Sequence, residues 1–179
     1  MSPAEPVTPE SPERPETLFP SRRPMRLRDA AVRLEPAAYA LLRFAFGAIL
    51  FTHGLPKALG TSHGSMADPM AGSIRLIDQV MGLPFAPQLA FLVMLLETVG
   101  AAALAIGLGT RWVAFAFTAE MIGICVALGP AWPWIDRGIE YPVLMAALAA
   151  YMVVRGGGAY AVDRRLPWSA SAASGASVP

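Results

Sequence analysis

Residues 88–109 read QLAFLVMLLETVGAAALAIGLG, and Glu97 is the only charged residue among them. About 20 predominantly apolar residues are enough for a helix to cross the hydrocarbon core of a bilayer. The stretch lacks the period-two alternation of polar and apolar residues that marks a membrane β-strand. It therefore predicts a transmembrane helix that carries one carboxyl group inside the membrane.

Three further segments of similar character predict three more membrane-spanning helices, at residues 37–59, 112–133 and 139–155. The composition agrees, because 55% of the 179 residues are hydrophobic and only 15% are charged. Soluble domains usually carry about 25% charged residues. The mean hydropathy of +0.48 points the same way. We therefore predict an all-α membrane protein, built as a four-transmembrane-helix bundle.

The connection between the first two predicted spans, residues 60–86, is too long for a simple turn. Within it, residues 72–81 place apolar side chains at helical spacing with polar side chains between them. This pattern predicts a short amphipathic helix in the first outer loop. Two interpretations stay open, a helix on the membrane interface and a helix packed on the mouth of the bundle. In both, the helix covers the outer end of the bundle.

Both ends of the chain have the composition of flexible tails. Residues 1–35 are rich in Pro and Arg and lack apolar periodicity, which predicts a disordered cytoplasmic tail. Residues 167–179 are rich in Ser, Ala and Gly and predict a flexible C-terminal tail. The transmembrane domain is then residues 36–166. Arginines are concentrated before the first span and after the fourth, so the positive-inside rule places both termini in the cytoplasm.

Each predicted span contains an ionisable residue, which costs roughly 2.5–3.5 kcal/mol at the centre of a membrane helix. Such groups survive by facing the bundle interior and pairing. Counting the helical rise from the cytoplasmic end sorts the charges into two levels. The inner level holds Arg43 and Glu120, which we interpret as a structural ion pair. The outer level holds the candidates for a catalytic or binding site, which are His53, Lys57, Glu97 and Glu140.

A purely structural role is the alternative for these charges. Lys57 could extend to the membrane interface, and Glu140 could stabilise the start of a helix. Glu97 is too deep for that, and an intramembrane carboxylate is by default a functional-site hypothesis. Gly47 and Gly54 share a helix face with Lys57, which predicts close approach of a neighbouring helix there.

Residue counts exclude several other kinds of site. The single cysteine, Cys125, excludes an intrachain disulfide and a C-x-x-C redox pair within this chain. With only two histidines, we predict no metal site, and no cofactor motif is evident. A net charge of +1 without a basic face predicts no nucleic-acid partner.

Short motifs in order along the chain resemble the DoxX family. The first span contains Leu42-Arg43 and ends in FTHGLPK (residues 51–57), and the second contains ETVG (97–100) with GLGTR (107–111) after it. The fourth begins with GIEYP (138–142) and is followed by GAYAVD (158–163). The resemblance covers about residues 38–166.

The resemblance implies a bacterial or archaeal four-helix inner-membrane protein. We expect the protein to lie in a bacterial inner (plasma) membrane. The family takes its name from a subunit of a thiosulfate:quinone oxidoreductase. The resemblance therefore implies a subunit of a membrane redox or sulfur-metabolism system, with a quinone as candidate cofactor. We expect the lipid bilayer as a partner. Since no redox site is visible in the sequence, electrons would come from a soluble redox protein on one membrane face, and a second copy of the chain is a further candidate partner. Two alternatives stay open, a non-catalytic membrane anchor or assembly subunit and a carrier of small solutes or protons, and enzymatic activity is left undecided.

Overall fold

The computed structural model describes residues 27–136 and 138–166, and five helices contain most of them. In chain order they are α1 (Leu27–Leu59), α2 (Pro69–Arg75, continued by a π-helical turn, Leu76–Val80), α3 (Ala86–Ile106), α4 (Thr110–Leu128) and α5 (Glu140–Arg155). Short 3-10 turns, Trp134–Asp136 and Val162–Arg165, flank α5. We call the end of the bundle that carries α2 the lid end, and the end with the α3–α4 turn the turn end.

Three of these helices, α1, α3 and α4, are long and apolar enough to cross a membrane. The predicted all-helical architecture is thereby confirmed for the described part of the chain. Helix α5 has 16 residues. That length corresponds to about 24 Å of helix, against a hydrocarbon core of about 30 Å. The fourth span therefore stays a prediction.

The helix boundaries differ from the predicted ones at three places. Helix α1 begins at Leu27, so residues 27–35, predicted as part of the disordered tail, are helical and Pro36 lies inside the helix. Helix α3 ends at Ile106 because Gly107 adopts a left-handed conformation with φ of 79°. Helix α4 ends at Leu128 because Gly129 is extended and Pro130 follows it. The remaining tail predictions, for residues 1–26 and 167–179, lie outside the described residues.

Two helix pairs dominate the packing, α1 with α3 and α4 with α5. The first pair depends on the two glycines of α1. A Cβ atom on Gly47 would lie 2.5 Å from the Ala101 carbonyl oxygen, and one on Gly54 would lie 2.6 Å from the Glu97 carbonyl carbon. The predicted close approach at these glycines is confirmed. The two pairs meet in the core, where the rings of Phe46 and Phe117 contact edge to face.

The first half of α3, Ala86–Leu95, makes few contacts with α4, which shows that the two helices separate towards the lid end. Helix α2 lies over this gap and buries Ile77 against Ala86 and Ala90. The short helix predicted between the first two spans is confirmed, and it packs on the bundle.

We predict that Gly54→Ala lowers the melting temperature of the detergent-solubilised protein. The added methyl group would overlap the α3 backbone, and overpacking of this kind costs about 1–3 kcal/mol. Gly123→Ala is the matched control, since the nearest atom to its added Cβ would be the Met81 Cε, 3.8 Å away. Equal melting temperatures for the two variants would contradict the close α1–α3 contact.

Candidate functional site

Lys57 and Glu97 form an ion pair between α1 and α3, with 2.5 Å between Lys57 Nζ and Glu97 Oε2. Both side chains are nearly buried, with 11% and 6% of their surfaces exposed. A buried pair is stable only when its geometry is good and its charges are matched. The structure thus brings together two of the four residues predicted for the outer level.

Glu97 lies in a π-helical turn, Leu96–Gly100, that interrupts α3. A π-turn contains one residue more than an α-turn and so rotates the side chains that follow it relative to those before it. Such turns occur mostly as single insertions and are frequent at functional sites. Here the turn faces Gly54, whose missing side chain admits the Glu97 backbone. Local backbone geometry and helix packing therefore both position the carboxyl group opposite Lys57.

A cavity of about 360 Å³ extends from this ion pair between α3 and α4. Its volume is within the range of about 300–1,000 Å³ that is typical of small-molecule sites. Its walls are apolar apart from Ser73 and one end, where the charged residues Lys57, Glu97 and Glu120 lie. At the lid end the cavity is closed by Leu76 and Ile77 of α2 and by Met81, the residue that follows α2. The site is therefore an apolar chamber with a charged end.

Glu120 faces this cavity and not Arg43, so the structure does not form the predicted ion pair between them. The prediction placed Glu97 and Glu120 at different levels because it extended the second helix to residue 109. With α3 ending at Ile106 and α4 beginning at Thr110, both residues lie about 14–15 Å from the turn that joins the two helices. An error in one helix end therefore separated two carboxyl groups that are neighbours.

Arg43 instead holds the turn end of the bundle together. Its guanidinium is buried and donates to the carbonyl oxygens of Gly157 and Tyr160, in the segment that follows α5. From that segment Asp163 accepts hydrogen bonds from the backbone N–H groups of Gly109, at 2.7 Å, and Thr110, at 3.0 Å. Asp163 thus satisfies the free N–H groups at the start of α4, where a negative charge is stabilising.

The sequence profile of the DoxX family matches residues 38–130. The chain belongs to the DoxX family. No curated protein and no solved structure matches it. The matched region contains Lys57, Glu97 and Glu120, and hence the whole charged end of the cavity. The contacts that Arg43 makes with residues 157 and 160 lie partly beyond the match.

Because DoxX proteins are membrane proteins, the exposed apolar side chains of α3 and α4 contact the lipid bilayer. The cavity-lining residue Leu92 of α3 belongs to this surface and is 58% exposed, and Leu83, just before α3, is 41% exposed. Leu92 therefore places one side of the cavity next to the lipid-facing surface of α3.

The other two predicted site residues of this DoxX protein do not line the cavity. His53 is half-buried on α1 and its ring contacts the ring of His63, with 4.9 Å between the centroids. Glu140 is half-buried at the start of α5. Among residues 27–136 and 138–166, no group of three or more His, Cys, Asp or Glu side chains is arranged to hold a metal ion.

Sequence reasoning missed two features of the site. Ser73 of α2 lines the cavity, and no motif distinguishes it from other loop serines. Glu120 was recognised as an intramembrane charge but assigned to the wrong neighbour. The signal that could have corrected this is the glycine in Gly107-Leu-Gly109, since glycine commonly ends a helix in the left-handed conformation.

The ion pair predicts a specific double-mutant result. Glu97→Gln alone leaves Lys57 buried and unpaired, which costs about 3–5 kcal/mol, whereas removing both charges is nearly neutral. We expect low membrane yield for Glu97→Gln and restored yield for Glu97→Gln with Lys57→Met. Glu97→Gln with Arg43→Met is the control and should not recover, because Arg43 binds elsewhere. Recovery in the control, or none in the Lys57 combination, would contradict the pairing.

Proposed function

We propose that this DoxX-family protein binds a lipid-soluble quinone in its lateral cavity, as a subunit of a membrane redox system linked to sulfur metabolism. The observation that carries the proposal is the shape and polarity of the cavity. Its apolar walls suit an isoprenoid chain, and its place beside the lipid-facing surface of α3 suits a ligand that is stored in the bilayer. Binding sites of this kind hold an apolar ligand by its bulk and orient it with a few polar groups.

The charged end of the cavity supplies those polar groups. Lys57 Nζ donates one hydrogen bond to Glu97 Oε2. An ammonium group has three donors, so two more remain for a quinone carbonyl oxygen. Two carboxyl groups beside it can hold and exchange protons, which a quinone requires when its redox state changes. Within this proposal the predicted pair of Lys57 and Glu97 binds the head group, and neither His53 nor Glu140 touches it.

The proposal includes a soluble redox partner on the turn end of the bundle. The exposed arginines there, Arg111, Arg164 and Arg165, give this end a basic surface that suits an acidic protein. The same surface supports the second candidate function, a non-catalytic anchor that holds such a protein at the membrane.

Quinone binding can be tested with a diazirine-bearing quinone analogue and the protein in lipid nanodiscs. We expect photolabelling on α3 and α4, competed by decylubiquinone and mapped by mass spectrometry. Gly123→Leu places a side chain in the cavity and should weaken labelling at least about tenfold, or about 1.4 kcal/mol. Val126→Leu, on the exposed face of α4, is the control and should label normally. Labelling that is unchanged in Gly123→Leu would place the ligand elsewhere.

We also propose that α5 is a fourth span and that both termini are cytoplasmic, in a bacterial inner membrane. Helix α5 is short, but it packs along α4 and lies next to the core. In a Cys125→Ala background, Ala67→Cys should react with a membrane-impermeant maleimide in intact cells. Ser174→Cys should react only after the cells are opened. Labelling of Ser174→Cys in intact cells would contradict this topology.

A further inference from the structure

We propose that Glu120 determines the specificity of the cavity, since its carboxyl group binds the oxygen-bearing head group of the ligand and discriminates against plain hydrocarbon chains. This inference rests on the proposed function, because it assigns a role within the same site. It reverses the role that sequence analysis gave Glu120, as the structural partner of Arg43.

The first observation is that no backbone N–H, hydroxyl or basic side chain holds Glu120 in place. Its carboxyl group adjoins that of Glu97, but both of its oxygens are buried and neither accepts a hydrogen bond from a donor of the described residues. A buried polar group without a partner costs about 1–3 kcal/mol. Native proteins contain few such groups, and each requires an explanation. A ligand in the adjoining cavity provides one, because Glu120 is part of the cavity wall.

The second observation is that the other polar residues of the cavity wall already make hydrogen bonds within the protein. Lys57 Nζ lies 2.5 Å from Glu97 Oε2, and the Ser73 hydroxyl donates to the Pro69 carbonyl oxygen at 3.1 Å. Glu120 lies within electrostatic reach of Glu97 and Lys57. If one of the two carboxyl groups is protonated, the cluster of one ammonium and two carboxyl groups is neutral. Such a cluster is compatible with the apolar cavity and leaves Glu120 available to a ligand.

Lipid acyl chains compete with any ligand for this cavity. They are present at very high concentration beside the lipid-facing surface of α3. An acyl chain that entered the cavity would offer Glu120 no hydrogen bond, whereas a hydroxyl head group would donate to a Glu120 oxygen and a carbonyl head group would accept from the protonated carboxyl group. Sites built to hydrogen-bond a polar group reject the analogue that lacks it, because the protein groups are then left unpaired. Glu120 therefore selects oxygenated, lipid-soluble ligands over hydrocarbon.

This role has a stability signature that a structural ion pair lacks. Replacing Glu120 with Leu removes a buried polar group and gives up only its contact with the Glu97 carboxyl group, since no donor of the described residues binds either oxygen. The melting temperature of ligand-free Glu120→Leu should therefore equal or exceed that of the unmodified chain. Function-related residues commonly show this exchange of stability for binding.

The test uses three photoreactive probes of equal chain length, an alkylated quinone, an alkylphenol and an alkylbenzene, with the full chain in nanodiscs. The unmodified chain should label with the first two and poorly with the third. In Glu120→Leu, the ratio of labelling by the oxygenated probes to labelling by the alkylbenzene should fall at least about tenfold, or about 1.4 kcal/mol. This variant should also label with the alkylbenzene. Glu120→Gln keeps an amide that hydrogen-bonds and should retain most of the preference.

The outcomes separate this inference from the proposed function. If the unmodified chain labels with the quinone probe and Glu120→Leu labels equally, Glu120 is not the determinant and the quinone proposal stands. If the unmodified chain prefers only the alkylphenol and Glu120→Leu loses that preference, the quinone proposal fails and this inference is supported. A large fall in the melting temperature of Glu120→Leu would show a structural role and overturn it.

Discussion

The ion pair between Lys57 and Glu97 sets the geometry of the lid half of the bundle. Two charges in an apolar interior are stable only if each stays in contact with the other, so the helices that carry them must stay close. Gly54 makes this possible, because any larger residue there would overlap the Glu97 backbone. The π-helical turn at Leu96–Gly100 lies at the same level of α3. A glycine, a backbone irregularity and a charge pair thus depend on one another.

A second group of polar contacts performs a different task at the turn end. Arg43 and Asp163 bind backbone carbonyl and N–H groups of neighbouring segments rather than each other. In hydrocarbon every such backbone group must be satisfied within the protein. These side chains complete the helix ends where α1, the α3–α4 turn and the segment after α5 meet. These charged residues therefore divide into a structural set at the turn end and a candidate binding set near the lid end.

Much of this arrangement could be predicted from the sequence, because it depends on patterns within single helices. The apolar stretches located α1, α3 and α4, and the spacing of Gly47, Gly54 and Lys57 located the face of α1 that meets α3. The partners of Arg43 and Glu120 could not be predicted in this way. They depend on where each helix ends and how it is rotated, and the left-handed Gly107 shortened α3 relative to the prediction. The start of α1 was missed because Pro36 was taken for the first turn of a helix.

The same contacts explain why the helices do not close the apolar cavity, although closing it would bury more apolar surface. Closing it would require α4 to move towards α3 at the lid end. Helix α3 is held against α1 by the glycine contacts and the ion pair, and α4 is held against α5 along its length. The Gly107–Gly109 turn joins α3 and α4 at the opposite end, where Asp163 fixes the start of α4. Since α3 packs on α1 and α4 packs on α5, the gap between α3 and α4 follows from the helix packing. Glu120, on the wall of that gap, thus adjoins Glu97 and faces the cavity, and no donor group of the described residues binds it.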